Sequence, residues 1–234
     1  MRRLLLYFFS RRTLALIRWD LHFILLRLGN ALRLQKTRIA RQIDKGNAKY
    51  LNLGSGPRGS ADREWINVDG YKDHNVDLRL DFTRRLPFPD DCFEGVFCEH
   101  VIEHFDLEQG QVLLRECLRI LRPGGCLRVI VPDGEKIMRA YFDSPSELVA
   151  RRDNGVGYAM NAVNSYFRQR YEHQFIYDWP ILEHQFICCG FVDVRRVSYR
   201  EGKASRPILL DDEKYVWESL YVEAVKHPSV SQPE

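Results

Sequence analysis

The chain has 234 residues, 45% of them hydrophobic and 12% aromatic, a composition that excludes a wholly disordered protein and suits one globular domain with an extension. Its net charge of +3 is unevenly distributed, because residues 1–45 hold 11 Lys or Arg and 2 acidic residues whereas the rest of the chain holds 24 and 30. We therefore expect an anionic partner for the basic segment alone, either phospholipid headgroups or nucleic acid, and we favour the headgroups.

The cysteines bear on cellular location and on metal binding. The six stand at positions 92, 98, 117, 126, 188 and 189, with no Cys-x-x-Cys pair and no His at zinc-finger spacing. Four of them lie inside apolar strand or helix patterns. This distribution indicates reduced, buried thiols in a cytoplasmic protein, and no metal site is expected.

The first predicted element is a helix between Thr13 and Leu34. Apolar residues at alternating spacings of three and four define one of its faces: Leu14, Ile17, Leu21, Ile24, Leu28 and Ala31. A weaker stripe faces the other way: Leu16, Trp19, Phe23 and Leu26. Charged residues interrupt the run too often for a bilayer span. Two stripes suggest two partners, the domain on one side and a membrane or second subunit on the other. An interfacial helix is favoured over a helix docked on its own domain and over a cleavable targeting segment.

The domain core is predicted to begin at Ala48, where the apolar run 50–53 leads into the glycine turn Gly54-Ser-Gly-Pro-Arg-Gly59. Glycines let a ligand approach the backbone without meeting a Cβ atom, and such a turn at the end of a first strand binds nucleotide-like cofactors. The next predicted strand ends at Asp69, a residue suited to hold a ribose. Only about a dozen residues separate Gly56 from Asp69, so a helix between them must be short or missing.

The remaining elements alternate strand and helix. Strands are predicted at 76–82, 93–99, 126–131, 191–199 and 219–225, and helices at 107–121 and 178–188. Residues 135–175 are polar and poorly periodic, and we interpret them as a lid. The predicted fold is α/β, a Rossmann-like, doubly wound, mostly parallel sheet with helices on both faces. Its predicted parts are a basic helical extension, a cofactor-binding domain and a disordered tail, at 1–47, 48–226 and 227–234.

Further motifs follow the glycine turn in a definite order: Asp69, Leu80-Asp81-Phe82, Leu86-Pro-Phe-Pro-Asp90, Val101-Ile-Glu-His104 and Leu121-Arg-Pro-Gly-Gly125. In this series the chain resembles the class I S-adenosylmethionine-dependent methyltransferases. It is most similar to a bacterial-type branch often associated with glycan biosynthesis, through Leu51-Asn-Leu-Gly54 and Trp65-Ile-Asn-Val-Asp69. The resemblance is strong over residues 49–134 and looser beyond, and it covers about two-thirds of the chain.

The resemblance implies S-adenosylmethionine as the cofactor. Gly54 and Gly56 would lie against its methionine part, and Asp69 would accept hydrogen bonds from both ribose hydroxyls. Asp81 would lie beside the adenine amino group. Asn52 stands where many members have an acid, and its amide can still donate and accept hydrogen bonds. The expected cofactor-binding residues are Asn52, Gly54, Ser55, Gly56, Asp69, Gly70, Asp81, Phe82, Glu99 and His100.

The candidate catalytic residues are two histidines and a tyrosine. An oxygen nucleophile needs a base with a pKa near the working pH, and His100 and His173 are the candidates, with Tyr177 as an orienting partner. Glu103 and His104 are interpreted as the beginning of the following helix.

The expected function is O-methylation of a saccharide, a lipid-linked glycan or another small molecule, by a cytoplasmic enzyme that residues 1–45 place at an anionic membrane surface. Two alternatives stay open. An NAD(P)-dependent oxidoreductase would use the same glycine turn, and a cofactor-binding or membrane-associated interaction module would keep the fold without catalysis.

Overall fold

The computed structural model describes residues 8–31, 35–44, 46–152 and 155–228, and a seven-stranded sheet forms its centre. The strands are β1 (Tyr50–Leu53), β2 (Trp65–Asp69), β3 (Leu78–Arg79), β4 (Phe93–Glu99), β5 (Leu121–Pro132), β6 (Phe191–Val197) and β7 (Ser219–Lys226). Their order is β3-β2-β1-β4-β5-β7-β6. The pairs from β3 to β5 are parallel, and β7 is antiparallel to both its neighbours. The predicted Rossmann-like, mostly parallel sheet is confirmed.

The strand order reverses at β1, which pairs with β2 on one side and with β4 on the other. Chain connections leave such a switch point in opposite directions, so a crevice opens beyond the carboxyl ends of the two strands. The glycine turn that follows β1 and the segment that follows β4 therefore meet at this crevice.

The helices are α1 (Arg11–Ala31), α2 (Gln35–Asp44), α3 (Leu107–Ile120), α4 (Gly134–Asp143), α5 (Pro145–Arg152), α6 (Ala159–Arg168) and α7 (Trp179–Cys189). On one face of the sheet, buried side chains of α2, α3 and α7 form the main core with the strands. On the other face, the described buried contacts come from the segment 198–218, which carries Ile208, rather than from an α-helix. The connection between β1 and β2 holds only the short 3₁₀ turn Gly56–Arg58, as the sequence predicts.

A buried ion pair fixes the segment 198–218 to its face of the sheet. Arg128 on β5 is fully buried, and its guanidinium donates to both carboxylate oxygens of Asp211 at 2.7 and 2.5 Å. The same guanidinium also donates to the backbone carbonyls of Ser198 and Glu201 and to the Ser205 hydroxyl. Charged and neutral hydrogen bonds thus compensate for the burial of both ions.

Two strands differ from the predicted ranges. The predicted strand 76–82 is reduced to Leu78–Arg79. The Asp77 carboxylate accepts a hydrogen bond from the Asn67 backbone N–H, which in a longer strand would pair with a backbone carbonyl of the neighbouring strand. Strand β5 begins earlier than predicted, since Leu121 pairs with Phe93 and Cys126 pairs with Gly95. The residues between Leu121 and Cys126 form an irregularity in the pairing, with Gly124 at φ +78°.

The segment 135–175 is largely helical. Helices α4, α5 and α6 pack against one another around a separate small core formed by Ile137, Ala140, Leu148, Ala162, Val163 and Tyr166. Each helix contributes only one turn or two of apolar residues, so no long periodic pattern marks them in the sequence. Residues 153–154 of this segment lie outside the described ranges.

Helix α1 docks on the domain through the weaker of its two predicted stripes. Phe23 and Leu26 are buried, whereas the main stripe is exposed at Ile17, Leu21, Ile24 and Leu28. His22 Nε2 lies 2.8 Å from the Gly70 carbonyl, and Asn30 donates to the Arg79 carbonyl at 2.6 Å. None of the described helices is both long enough and apolar enough to cross a membrane. Residues 1–7, 32–34 and 45 of the predicted extension and residues 229–234 of the predicted tail lie outside the described ranges.

The start of α7 gives a test of local stability. The Asp178 side chain accepts a hydrogen bond from the Ile181 N–H at 3.1 Å and so caps the helix. Asp178→Ala is expected to cost about 1 kcal/mol and to lower the melting temperature by roughly 2–4 °C. Asp178→Asn keeps an acceptor oxygen and should cost much less in the same calorimetric scan. Equal losses for the two variants would contradict a capping role.

Candidate cofactor and acceptor site

A cavity of about 260 Å³ lies beyond the carboxyl ends of β1, β2 and β4, and we call it the cofactor cavity. The predicted residues that line it are Gly54, Asp69, Gly70, Phe82 and His100. Side chains from α1 and from the segments after β2, β4 and α6 complete the wall: Trp19, Phe23, Tyr71, Val101, His104, Phe105 and Glu172. Residues far apart in sequence therefore meet at the switch point of the sheet.

The glycine turn approaches its neighbours too closely for a side chain at its first position. Gly54 has φ +70°, and a Cβ atom there would lie 2.1 Å from Cγ2 of Val101. Such a conformation and such a contact require glycine. The backbone of the turn is thus left as the surface that a ligand can touch.

Asp69 holds the turn and the next loop in place. One carboxylate oxygen accepts from the Gly56 N–H at 2.9 Å, and the other accepts from the Tyr71 N–H at 2.8 Å. Each carboxylate oxygen has a second lone pair, so the group can accept hydrogen bonds from a ligand as well. Asp69 therefore combines a structural role with a place in the cavity wall.

The other predicted residues, Asn52, Ser55, Gly56, Asp81 and Glu99, do not line this cavity, and most of them have hydrogen-bond partners within the chain. Asn52 is buried and donates to Asn67, and Glu99 is buried and accepts from Arg58 at 2.6 Å and from the Asp212 N–H at 3.0 Å. Asp81 accepts from Arg27 of α1 at 2.6 Å and also from Thr83. The Ser55 hydroxyl is buried, and the described residues offer it no hydrogen-bond partner.

Helix α1 covers the cofactor cavity. The Phe23 ring lies against Gly70, since a Cβ atom on that glycine would be 3.3 Å from the ring. The His22 ring stacks on Tyr71 at a centroid distance of 4.5 Å, and Trp19 packs on Phe23 at 4.9 Å. The basic extension thus forms part of the site. From the sequence, its main expected role was to bind a membrane surface.

A second cavity of about 490 Å³ adjoins the first, and we call it the outer cavity. Both cavities are lined by Trp19, Tyr71, His104, Phe105 and Glu172. The outer cavity also has many polar side chains: Arg18, Asp20, His22, Asp106, Gln109 and Gln174. Of the predicted lid, the part that reaches this cavity is Tyr171, Glu172 and Gln174.

His100 lies between the cavity and a buried acid. Its φ is +54°, a conformation that few residues other than glycine adopt and that is frequent at functional sites. Its Nδ1 lies 3.3 Å from Glu103 Oε1, and its Nε2 lies 3.0 Å from the Ser219 hydroxyl. Burial raises the pKa of the Glu103 carboxyl, but the neighbouring imidazoles outweigh burial and hold that pKa below its ordinary value.

The other two candidate catalytic residues lie behind the cavity wall. Burial lowers the pKa of His173 to about 4, and its Nδ1 contacts the Tyr166 carbonyl at 2.6 Å. The His104 and His173 rings are 4.9 Å apart. Tyr177 belongs to the main apolar core, and burial raises the pKa of its hydroxyl above the ordinary value. The sequence interpretation assigned Glu103 and His104 to a helix start, although their spacing from His100 could have pointed to one cluster.

The arrangement fits S-adenosylmethionine as a ligand. A carboxylate at the end of β2 suits a ribose, the Phe82 ring suits an adenine face, and the exposed glycine backbone with the unpartnered Ser55 hydroxyl suits a polar amino-acid part. Phe23 of α1 lines this space, and Arg27 of α1 donates to Asp81, the residue that the resemblance assigns to the adenine amino group. The cofactor contacts that the resemblance assigns to these residues thus remain predictions, and the geometry of the cavity is compatible with them.

Comparison with known proteins gives a family match. Residues 61–129 match the family described as "Methyltransferase domain". A curated relative, demethylmenaquinone methyltransferase of Listeria welshimeri, is 26% identical over an alignment 149 residues long that covers 56% of this chain. The match spans 55% of that relative, so this chain corresponds to about half of its length.

Solved structures with similar folds carry low sequence identity. A SAM-dependent methyltransferase from Archaeoglobus fulgidus is 18% identical with a TM-score of 0.49, over 82% of this chain and 93% of that one. A SAM-dependent methyltransferase from Thermotoga maritima is 16% identical with a TM-score of 0.49, over 90% of this chain and 95% of that one.

Proposed function

We propose that the chain is a class I S-adenosylmethionine-dependent methyltransferase that transfers a methyl group to a hydroxyl of a small acceptor bound in the outer cavity; the methyltransferase-domain match over residues 61–129 supports this. The observation that carries the proposal is the adjacency of two cavities. One has the glycine turn, Asp69 and Phe82 in its wall, and the other is polar and shares five wall residues with it. Two ligands bound there would lie side by side.

In the proposed complex, each residue of the cofactor cavity has one task. Asp69 accepts hydrogen bonds from the ribose hydroxyls, Phe82 packs on the adenine, and the backbone of Gly54 supports the amino-acid part. S-adenosylmethionine, when bound, supplies an electrophilic methyl group on sulfur. The chain then has to hold the acceptor in line and to exclude water, and these two effects contribute most to such a displacement.

His100 is the proposed base. It lies in the wall of the cofactor cavity, and its ring is held by contacts on both nitrogens, with Glu103 on one side and Ser219 on the other. A carboxylate at Nδ1 stabilises the protonated ring, as in other acid and histidine pairs. The proton of the acceptor hydroxyl is therefore proposed to pass to His100.

The composition of the outer cavity favours a sugar-like acceptor. Flat aromatic faces at Trp19 and Tyr71 stand among carboxylates and amides, which are groups that bind hydroxyls. The name of the Listeria relative favours a second candidate, a lipid quinone, and the exposed apolar stripe of α1 beside the cavity agrees with a lipid-linked molecule of either kind.

Binding and turnover test the proposal separately. Titration calorimetry with S-adenosylmethionine should show one site per chain, and labelled methyl groups should enter an acceptor in fractionated lysate. Label in a saccharide or lipid-linked glycan fraction supports the sugar acceptor, and label in a quinone fraction supports the second candidate. No heat at millimolar cofactor would refute the proposal. Heat without transfer into any fraction would favour the non-catalytic module.

We also propose that α1 attaches the enzyme to an anionic membrane surface. Leu21 and Leu28 are 53% and 59% exposed on the outer face of the helix, next to a chain segment rich in Lys and Arg. The double change Leu21→Ser and Leu28→Ser is expected to weaken binding to phosphatidylglycerol vesicles at least about tenfold, since partial burial of two leucines contributes roughly 2 kcal/mol.

A matched pair elsewhere on the surface controls for general apolar contact. Met138 and Phe142 on α4 are 42% and 74% exposed, and serine at both positions should leave vesicle sedimentation unchanged. Binding by the parent protein should fall as salt rises. Equal vesicle binding by the parent and the α1 variant would rule out attachment through this stripe.

A further inference from the structure

Three side chains with metal-binding chemistry meet next to the wall that the two cavities share, and one of them, His104, belongs to that wall. Glu103 and His104 lie on the 3₁₀ turn Ile102–His104, and His173 follows α6. One ligand atom from each lies within 4.8 Å of the others. The three residues are 70 positions apart at most in sequence, and only the fold brings them together.

Glu103 is the first sign that this cluster is built for a ligand. The residue is fully buried, and neither carboxylate oxygen has a hydrogen-bond partner among the described residues. The Nδ1 atom of His100 lies 3.3 Å from Oε1. Burying a carboxylate with so few hydrogen bonds costs desolvation free energy that its contacts do not offset. An additional positive group at Oε2 would therefore stabilise the folded chain.

The hydrogen bonds of the two imidazoles are the second sign. His104 Nδ1 lies 3.2 Å from the Glu172 carbonyl, and His173 Nδ1 lies 2.6 Å from the Tyr166 carbonyl. A carbonyl only accepts, so Nδ1 carries the proton in both rings and Nε2 is left with a free lone pair. A backbone carbonyl at the far nitrogen is the usual support of a metal-binding histidine.

We propose that Glu103, His104 and His173 bind one divalent first-row transition-metal ion through a carboxylate oxygen and two imidazole nitrogens. Two histidines and one carboxylate form a three-ligand set that leaves other positions of the ion open. Because bonds to such ions are about 2.0–2.2 Å long, the ligand atoms have to approach one another by roughly an ångström on binding. His100 keeps its contact with Oε1, and the ion would bind the other carboxylate oxygen.

An ion at this cluster would lie next to both cavities. His104 lines the cofactor cavity and the outer cavity, whereas Glu103 and His173 are buried behind it. A bound ion would take an acceptor oxygen as a further ligand and lower its pKa. That role rests on the proposed methyl transfer, whereas binding of the ion itself does not.

Binding of Mn²⁺, followed by loss of the free-ion EPR signal, tests the site directly. Mn²⁺ is the probe because it prefers oxygen and nitrogen ligands, and the chain has six free cysteines that would compete for Zn²⁺. The full chain, treated with chelator and dialysed, should bind one Mn²⁺. His104→Ala and His173→Ala should each weaken binding at least about tenfold. His184→Ala, at an exposed position on α7, should bind like the parent.

The outcomes separate the site from the reaction. No Mn²⁺ binding by the parent chain, or equal binding by the parent and both histidine variants, would overturn the site. His104 is half-buried, so His104→Ala keeps the test valid should His173→Ala fail to fold, and thermal melting of each variant checks this. Mn²⁺ binding that persists when S-adenosylmethionine does not bind would support the site while refuting the proposed function.

Discussion

Asp69→Ala is expected to weaken S-adenosylmethionine binding at least about 100-fold. In the proposed complex the carboxylate accepts two hydrogen bonds from the ribose, and each bond to a charged group contributes roughly 1.5–3 kcal/mol. The same carboxylate holds the Gly56 and Tyr71 N–H groups, so its removal also loosens the turn beneath the cofactor. Titration calorimetry on the purified variant measures the effect.

Asp73→Ala provides the matched control in the same loop. Its carboxylate contacts the neighbouring His74 and does not line the cofactor cavity. Cofactor affinity should therefore stay within about threefold of the parent, which is less than 1 kcal/mol. An Asp69→Ala protein that melts normally and binds cofactor like Asp73→Ala would show that the ribose is held elsewhere.

Arg128→Met is expected to destabilise the fold by about 3–5 kcal/mol. The change leaves the fully buried Asp211 carboxylate without its two guanidinium bonds and removes the donors to the segment 198–218. An unpaired buried charge of this kind is among the costliest single changes. Urea unfolding should show the loss as a lower midpoint, and the melting temperature should fall by roughly 10 °C.

Arg122→Met tests whether any ion pair on β5 would behave in this way. Its partner is Glu94, and both side chains are nearly half exposed. A pair of this kind contributes about 0–1 kcal/mol, so the midpoint should barely move. Similar losses of stability in Arg122→Met and Arg128→Met would show that burial does not determine how much the Arg128 ion pair contributes to the free energy of unfolding.

The sequence pattern was sufficient for the parallel half of the sheet. Strands β1, β2 and β4 are apolar runs that end in a glycine or an acid, and local patterns of this kind survive in the fold. The sequence pattern did not predict all of the helices α4 to α6, because their apolar residues pack on one another and on Trp217 from a distant loop. Docking of α1 was also underdetermined, since both stripes are apolar and only the shape of the cavity selects Phe23.

In the candidate site, too, the residues at strand ends could be predicted from the sequence, and the contacts between distant segments could not. Gly54 follows a predicted strand, Asp69 and Phe82 end predicted strands, and all three line the cofactor cavity. Their roles toward a cofactor stay predictions. Glu103 could not be understood from its neighbours in sequence, because its surroundings include His173, which is 70 positions away and reaches it only through the packing of the segment after α6. Other segments likewise supply the partners of two acids: Arg27 binds Asp81, and Arg58 binds Glu99.

Arg58 in the glycine turn has a consequence for how this sequence can evolve. Its guanidinium donates both to Glu99 at the end of β4 and to Asp212 in the segment 198–218, at 2.6 and 2.7 Å. Three distant stretches of chain therefore share a single cation. Replacing Arg58 would leave the buried Glu99 carboxylate without its cation, so we expect these positions to change together among descendants of a common ancestor.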